Sequence, residues 1–133
     1  MAKVTGIGGV FFLSRDKGKD LSAWYEKHLG MALEDWGGAI LRWPDDTAED
    51  KGMTVWNVAD SDSEWFGPSK SPFMINYRVD NMEAMLAQLT SAGIDVLNGP
   101  DYAENGVFAW IMDPEGNKVE LWEPKIWDEK NKK

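Results

Sequence analysis

Two stretches of this chain, LSAWYEKHLG at 21–30 and MEAMLAQLTSAG at 82–93, each carry one apolar helical stripe and end in glycine. Each is preceded by one strand-like run and followed by further ones. In the first half, GIGGVFFLS (6–14) reads as an apolar strand. Leu21, Trp24, Tyr25, His28 and Leu29 fall at i, i+3, i+4, i+7 and i+8, which predicts a helix over about 19–29 with one buried face. Gly30 stops it. ALEDW (32–36), Gly37-Gly38 and AILRW (39–43) read as a hairpin with a two-residue turn. The acidic loop PDDTAEDKG (44–52) leads to a further strand, MTVWNVA (53–59). The second half repeats the order. FMINYRV (73–79) is a strand, and Asn81 caps a helix that buries Met82, Met85, Leu86 and Leu89 and stops at Gly93. IDVLNGP (94–100), VFAWIM (107–112) and KVELW (118–122) follow as strands, the last two joined by the turn Asp113-Pro114-Glu115-Gly116-Asn117.

The predicted fold class is therefore α+β. Two βαβββ modules, at about 4–58 and 73–124, are expected to form one curved mixed sheet, a cup, with both helices on its convex face. One domain spans 1–133, with a polar connector at about 59–72 and a lysine-rich tail at 125–133 expected to fray. Strand parity sorts the side chains. Phe73, Ile75, Tyr77 and Val79 face the helices, as do Val119 and Leu121. Met74, Asn76, Arg78, Glu120 and Trp122 face the concavity, where Phe11 and Trp56 join them by the same parity. Glu120 is the unusual member, a carboxylate in the middle of an apolar strand.

The 133 residues suit one domain, and a 43% hydrophobic content suits a folded one. With no cysteine there is no disulfide framework, thiolate metal site or thiol nucleophile. No apolar run is long enough to span a membrane, and MAKVTGIGG lacks the apolar stretch of a signal peptide, so a cytoplasmic location is expected. Fourteen basic against 23 acidic residues give a formal charge of −9, which disfavours nucleic acid and anionic membranes. The same field serves solubility, or attracts a cationic ligand. Eight tryptophans are more than a core of this size hides, so several line useful surfaces or an interface.

WYEKHLGM (24–31), YRVDNMEAM (77–85) and DPEGNKVELWEP (113–124) carry a family resemblance. On these motifs, repeated across about 4–124, the chain resembles the vicinal-oxygen-chelate superfamily, which includes glyoxalase I, extradiol dioxygenases and bleomycin-resistance proteins. The resemblance implies four inward-facing metal-ligand positions. They fall at Gly9, near Trp56 (or Asn57 if the register slips), near Met74 and at Glu120. Glycine has no ligand atom, indole does not bind hard ions and thioether sulfur suits them poorly, so only Glu120 qualifies. One carboxylate is too few for a stable site, and no cofactor is expected. The resemblance also implies a homodimer. His28 lies with the helix's apolar stripe and reads as a packing residue. The loop at 45–50 has four carboxylates without calcium-loop spacing and reads as solvated.

Three readings follow. In the first, the cup binds a small organic molecule, cationic ones included, on Phe11, Trp56, Met74, Asn76, Arg78 and Trp122, with Glu120 as a buried countercharge. In the second, Glu120 is a general base on a small carbonyl compound, in a lyase- or isomerase-type reaction. A metal-dependent glyoxalase or dioxygenase would apply only if the ligand positions lie elsewhere. In the third, the domain serves association alone, and Glu120 pairs with Lys118 or Arg78. Trp65 and Phe66 in the connector fit a lid, a subunit contact or simple packing onto the sheet.

Overall fold

The structure is a computed structural model describing residue 1 and residues 7–133. Its regular elements are helix α1 (Gly18–Leu29), strand β1 (Ile75–Arg78), helix α2 (Met82–Ser91) and strands β2 (Asn98–Ala103), β3 (Gly106–Met112) and β4 (Lys118–Pro124). The sheet has the order β1-β4-β3-β2; β1 runs parallel to β4, and the other pairs are antiparallel. Residues 75–124 thus form one βαβββ module on an open sheet that is not strongly curled.

Parity in these strands sets the core. Val107, Ala109, Ile111, Val119 and Leu121 are buried on one sheet face with Leu21 and Tyr25 of α1 and Met82 and Leu89 of α2. Trp24, Leu29, Met85 and Leu86, from the predicted helix stripes, pack at its margin. Both helices end as the sequence predicts, against Gly30 and Gly93 with φ of 70° and 78°. Asn81 caps α2, its side chain accepting from the Ala84 N–H at 2.9 Å.

The first half departs from expectation. Residues 7–14 and 53–59 form no strand, and Gly6, which opens the strand predicted at 6–14, lies outside the described residues. The hairpin at 32–43 is reduced to a single bridge, Leu33 to Ala39, around the turn in which Glu34 N–H donates to the Gly38 carbonyl at 2.8 Å. A strand is stable only when a neighbour completes its hydrogen bonds. These runs have no ladder partner among the described residues, and VFFL is apolar on both faces, so no one-sided burial fixes its register.

Two further differences concern the second half. The strand read at 94–100 begins at Asn98, because Ile94 packs against the core as the chain leaves α2. Its register then shifts between Asn98 and Asp101 at Gly99, whose φ is +95° and whose added Cβ would meet the Phe108 carbonyl at 2.7 Å. The tail does not fray. Asp128 caps a short turn at Glu129–Asn131, Asn131 is 1% exposed, and Lys51 N–H donates to the Asn131 carbonyl at 2.6 Å.

Candidate functional site

The register places four of the predicted site residues on one face of the sheet, opposite the helices. Asn76 pairs with Glu120 and Arg78 with Trp122 across β1 and β4. Strand β3 adds residues that the sequence reading did not assign: Phe108 pairs with Trp122, and Trp110 with Glu120. Phe108 lies between two tryptophans, its ring stacked on Trp122 at 5.8 Å and on Trp110 at 6.3 Å. Applying parity to VFAWIM would have found both, since Val107, Ala109 and Ile111 are its core-facing residues.

Met74 is half-buried just ahead of β1. Phe11 and Trp56 lie in the irregular first half and are 93% and 76% exposed. The strand that was to aim them at the sheet is not formed, so parity does not bring them to this face.

Glu120 is 8% exposed. The Asn76 amide donates to its Oε2 at 3.2 Å. Burial pushes the carboxyl above the ordinary carboxylate range; the Asn76 hydrogen bond, the Lys118 charge and the nearby Trp110 indole offset this only in part. The Trp110 N–H stands close enough to favour the carboxylate, yet it is buried without a well-formed hydrogen bond. By contrast, the Trp122 N–H donates to the Asn105 carbonyl at 2.9 Å.

Neither neighbouring cation forms an ion pair with Glu120 among the described residues. Arg78 binds Asp46 through Nε at 2.7 Å and Asp50 through Nη2 at 2.5 Å, while its guanidinium lies over Trp122, 5.4 Å from the ring centre. Burial works against the charged guanidinium, but the bonds to Asp50 and Asp46 outweigh it and leave the pKa raised. The hydrogen bond from Arg78 holds the Asp46 carboxyl below its usual value. The acidic loop is therefore not simply solvated: the Asp50 side chain is fully buried against Arg78. Lys118 Nζ lies 6.0 Å from the centre of the Trp110 ring and donates to the carbonyls of Trp65 and Gly67 at 2.7 and 3.0 Å.

The turn at 113–117 has a different task. Asp113, 4% exposed, accepts from the Tyr25 hydroxyl at 2.9 Å and from the Glu115 and Asn117 backbone N–H groups, also at 2.9 Å. Glu115 accepts from the Ser14 hydroxyl and the Arg15 N–H, and Asn117 accepts from the Ser71 hydroxyl at 2.6 Å. These bonds tie the first half to the sheet. Burial leads the causes that raise the Tyr25 and Tyr77 hydroxyls, Tyr77 to about 12, so neither is a base near neutral pH. His28 packs beside Trp24, with ring centres 5.3 Å apart on α1.

No three His, Cys, Asp or Glu side chains converge on a possible metal position among the described residues. A separate recess of about 480 Å³ lies at the start of α2, lined by Glu49, Asp80, Met82, Tyr102 and Glu123, with neither Glu120 nor Trp110 in its wall.

Comparison with known proteins agrees with the architecture. Residues 12–121 match the model of the Glyoxalase/Bleomycin resistance protein/Dioxygenase superfamily, and the chain belongs to that superfamily. Among solved structures it is similar to TnmS3, an antibiotic binding protein from Streptomyces sp. CB03234. The identity is 22% over 83% of this chain and 88% of that one, with a TM-score of 0.50. A protein from the mobile metagenome of V. Pseudocholerae aligns at 16% identity over 90% of this chain and 99% of its own, with a TM-score of 0.49. A chain described as "conserved domain protein" aligns at 24% identity over 40% of this chain, spanning about half of that one (47%), with a TM-score of 0.38. No curated protein matches. No helix among the described residues is long and apolar enough to cross a membrane.

Proposed function

We propose that the protein binds a small organic molecule, without a metal, on the sheet face built from Trp110, Phe108 and Trp122 around Glu120. One observation carries this reading: Glu120 is buried among aromatic rings while both neighbouring cations are engaged elsewhere. An ion pair made only for stability would have joined Glu120 to Lys118 or Arg78, as the association-only reading requires. A flat ligand packs along this aromatic face, and a cationic group on it gains the Trp110 ring and the carboxylate. Asn76 orients the carboxylate, and Arg78, fixed by two aspartates, frames the Trp122 end. TnmS3 is described as an antibiotic binding protein, so a protein of this fold accommodates such a molecule.

Met74, Phe11 and Trp56 complete the face if the first half joins the sheet as a second module, giving one curved cup with the helices outside. The exposed Val10, Phe11, Leu13, Val55, Trp56 and Val58 support such a rearrangement, because they bury little where they stand. Pairing of two chains would cover the same residues, and a homodimer is part of the proposal.

The test is calorimetric titration with 2-naphthyltrimethylammonium beside its neutral shape analogue, 2-tert-butylnaphthalene. Binding of the cation weakened about tenfold by Glu120→Gln, and more by Trp122→Leu, is the expected result. Absence of binding by either probe would refute the reading.

A second reading rests on the place of Glu120, a carboxyl buried on this face beside Asn76, with its pKa raised by burial. A carboxyl shifted toward neutrality is a better general base, so Glu120 takes a proton from a carbon next to a carbonyl. Turnover of a small carbonyl compound, lost in Glu120→Gln with the fold intact, would establish it.

A further inference from the structure

Lys118 stands where the proposed ligand's positive charge belongs. It lies on the same face as Glu120, two residues before it in β4, and its ammonium is 6.0 Å from the Trp110 ring centre. It forms no ion pair with that carboxylate among the described residues, because Nζ is held by the Trp65 and Gly67 carbonyls of the connector. The connector in turn carries the edge-to-face pair Trp65 and Phe66, with ring centres 5.5 Å apart. One side chain thus occupies the cation position over Trp110 and fastens the neighbouring loop.

Resting on the ligand-face reading above, we propose that Lys118 is a built-in competitor for the cation subsite over Trp110. A ligand bearing a quaternary ammonium or guanidinium group binds by displacing the Lys118 ammonium, which releases the Trp65–Gly67 loop and lets the new cation approach Glu120. A ligand's cation gains what Lys118 lacks, an approach to the carboxylate free of the backbone tether. The chemistry selected is an aromatic or flat apolar body with a fixed positive charge beside it.

The experiment titrates 2-naphthyltrimethylammonium and 2-tert-butylnaphthalene into the full chain and into Lys118→Met, Lys118→Gln, Lys118→Arg and Lys125→Met. Lys125 is exposed and outside the aromatic face, so its variant measures what losing any one positive charge does. Expected is about tenfold tighter binding of the cation to Lys118→Met and Lys118→Gln, near wild-type binding to Lys118→Arg, and no more than about twofold for Lys125→Met. The neutral probe should change little. Two neutral variants, checked by circular dichroism, guard against one that fails to fold. Cation binding that stays the same or weakens in both neutral variants, or tightens equally in Lys125→Met, overturns the competitor role and leaves the ligand face standing. No binding of either probe to any form overturns both.

Discussion

Asn76 and Glu120 are register partners on adjacent parallel strands, and the Asn76 amide is the hydrogen-bond donor to the buried carboxyl. This contact favours the charged form, yet burial wins and the pKa is raised. A carboxyl with a raised folded pKa stabilises the fold when protonated. That advantage is full below the ordinary value of 4.5 and is lost as pH climbs through the folded value.

Glu120→Gln keeps a group that can accept from Asn76 and removes the charge. The variant should be more stable than wild type at pH 7, by about 0.5–2 kcal/mol in urea denaturation, and the gap should close at pH 4. A variant less stable at pH 7 would show that the carboxylate is better satisfied than its surroundings indicate.

Arg78 and its two aspartates divide unequally. Arg78→Met leaves the fully buried Asp50 carboxylate without its guanidinium and should cost about 3–5 kcal/mol. Asp46 is one-third exposed at its side chain, so Asp46→Asn should cost less than about 1 kcal/mol. Because the Asp46 pKa is lowered, its contribution is present above 3.8 and disappears as pH falls through the depressed value. Denaturation curves of the two variants at pH 7 and pH 3 read both effects.

Gly106 has φ of +143°, and a Cβ there would run into the Glu123 carbonyl and the Trp122 indole. Gly106→Ala should lower stability by at least about 2 kcal/mol and shift Trp122 emission, because the ring must give way. An unchanged melting temperature would place Trp122 elsewhere.

The hydroxyl of Tyr25 donates to Asp113 inside the protein. Tyr25→Phe should cost about 1–2 kcal/mol by thermal denaturation, with the sheet intact by circular dichroism. Asp113→Ala should cost more, since it removes acceptors for two backbone N–H groups as well.

What was legible in the sequence follows from periodicity. The helix stripes predicted Leu21, Tyr25, Met82 and Leu89 as core, and alternation in KVELW separated Val119 and Leu121 from Glu120. These signals are local, and burial on one face enforces them. The strands of the first half failed because a strand depends on a partner that no local pattern supplies. Parity there assigned Phe11 and Trp56 to a face through strands that are not formed. The ion cluster was illegible for a related reason: Arg78 is 32 residues from Asp46 and 28 from Asp50, so only the fold joins them. Trp110 is legible in the alternation of VFAWIM, where Val107, Ala109 and Ile111 mark the buried face.

The stretch DPEGN (113–117), inside the segment that matches the superfamily, is a joint. Its side chains and backbone fasten Ser14, Arg15, Tyr25 and Ser71 to one end of the sheet. Selection acting on assembly alone would preserve such a joint whatever the opposite sheet face does. The opposite face is then free to change while the joint stays in place. What the turn records is how this chain is held together, and it says nothing of what the other side of the sheet binds.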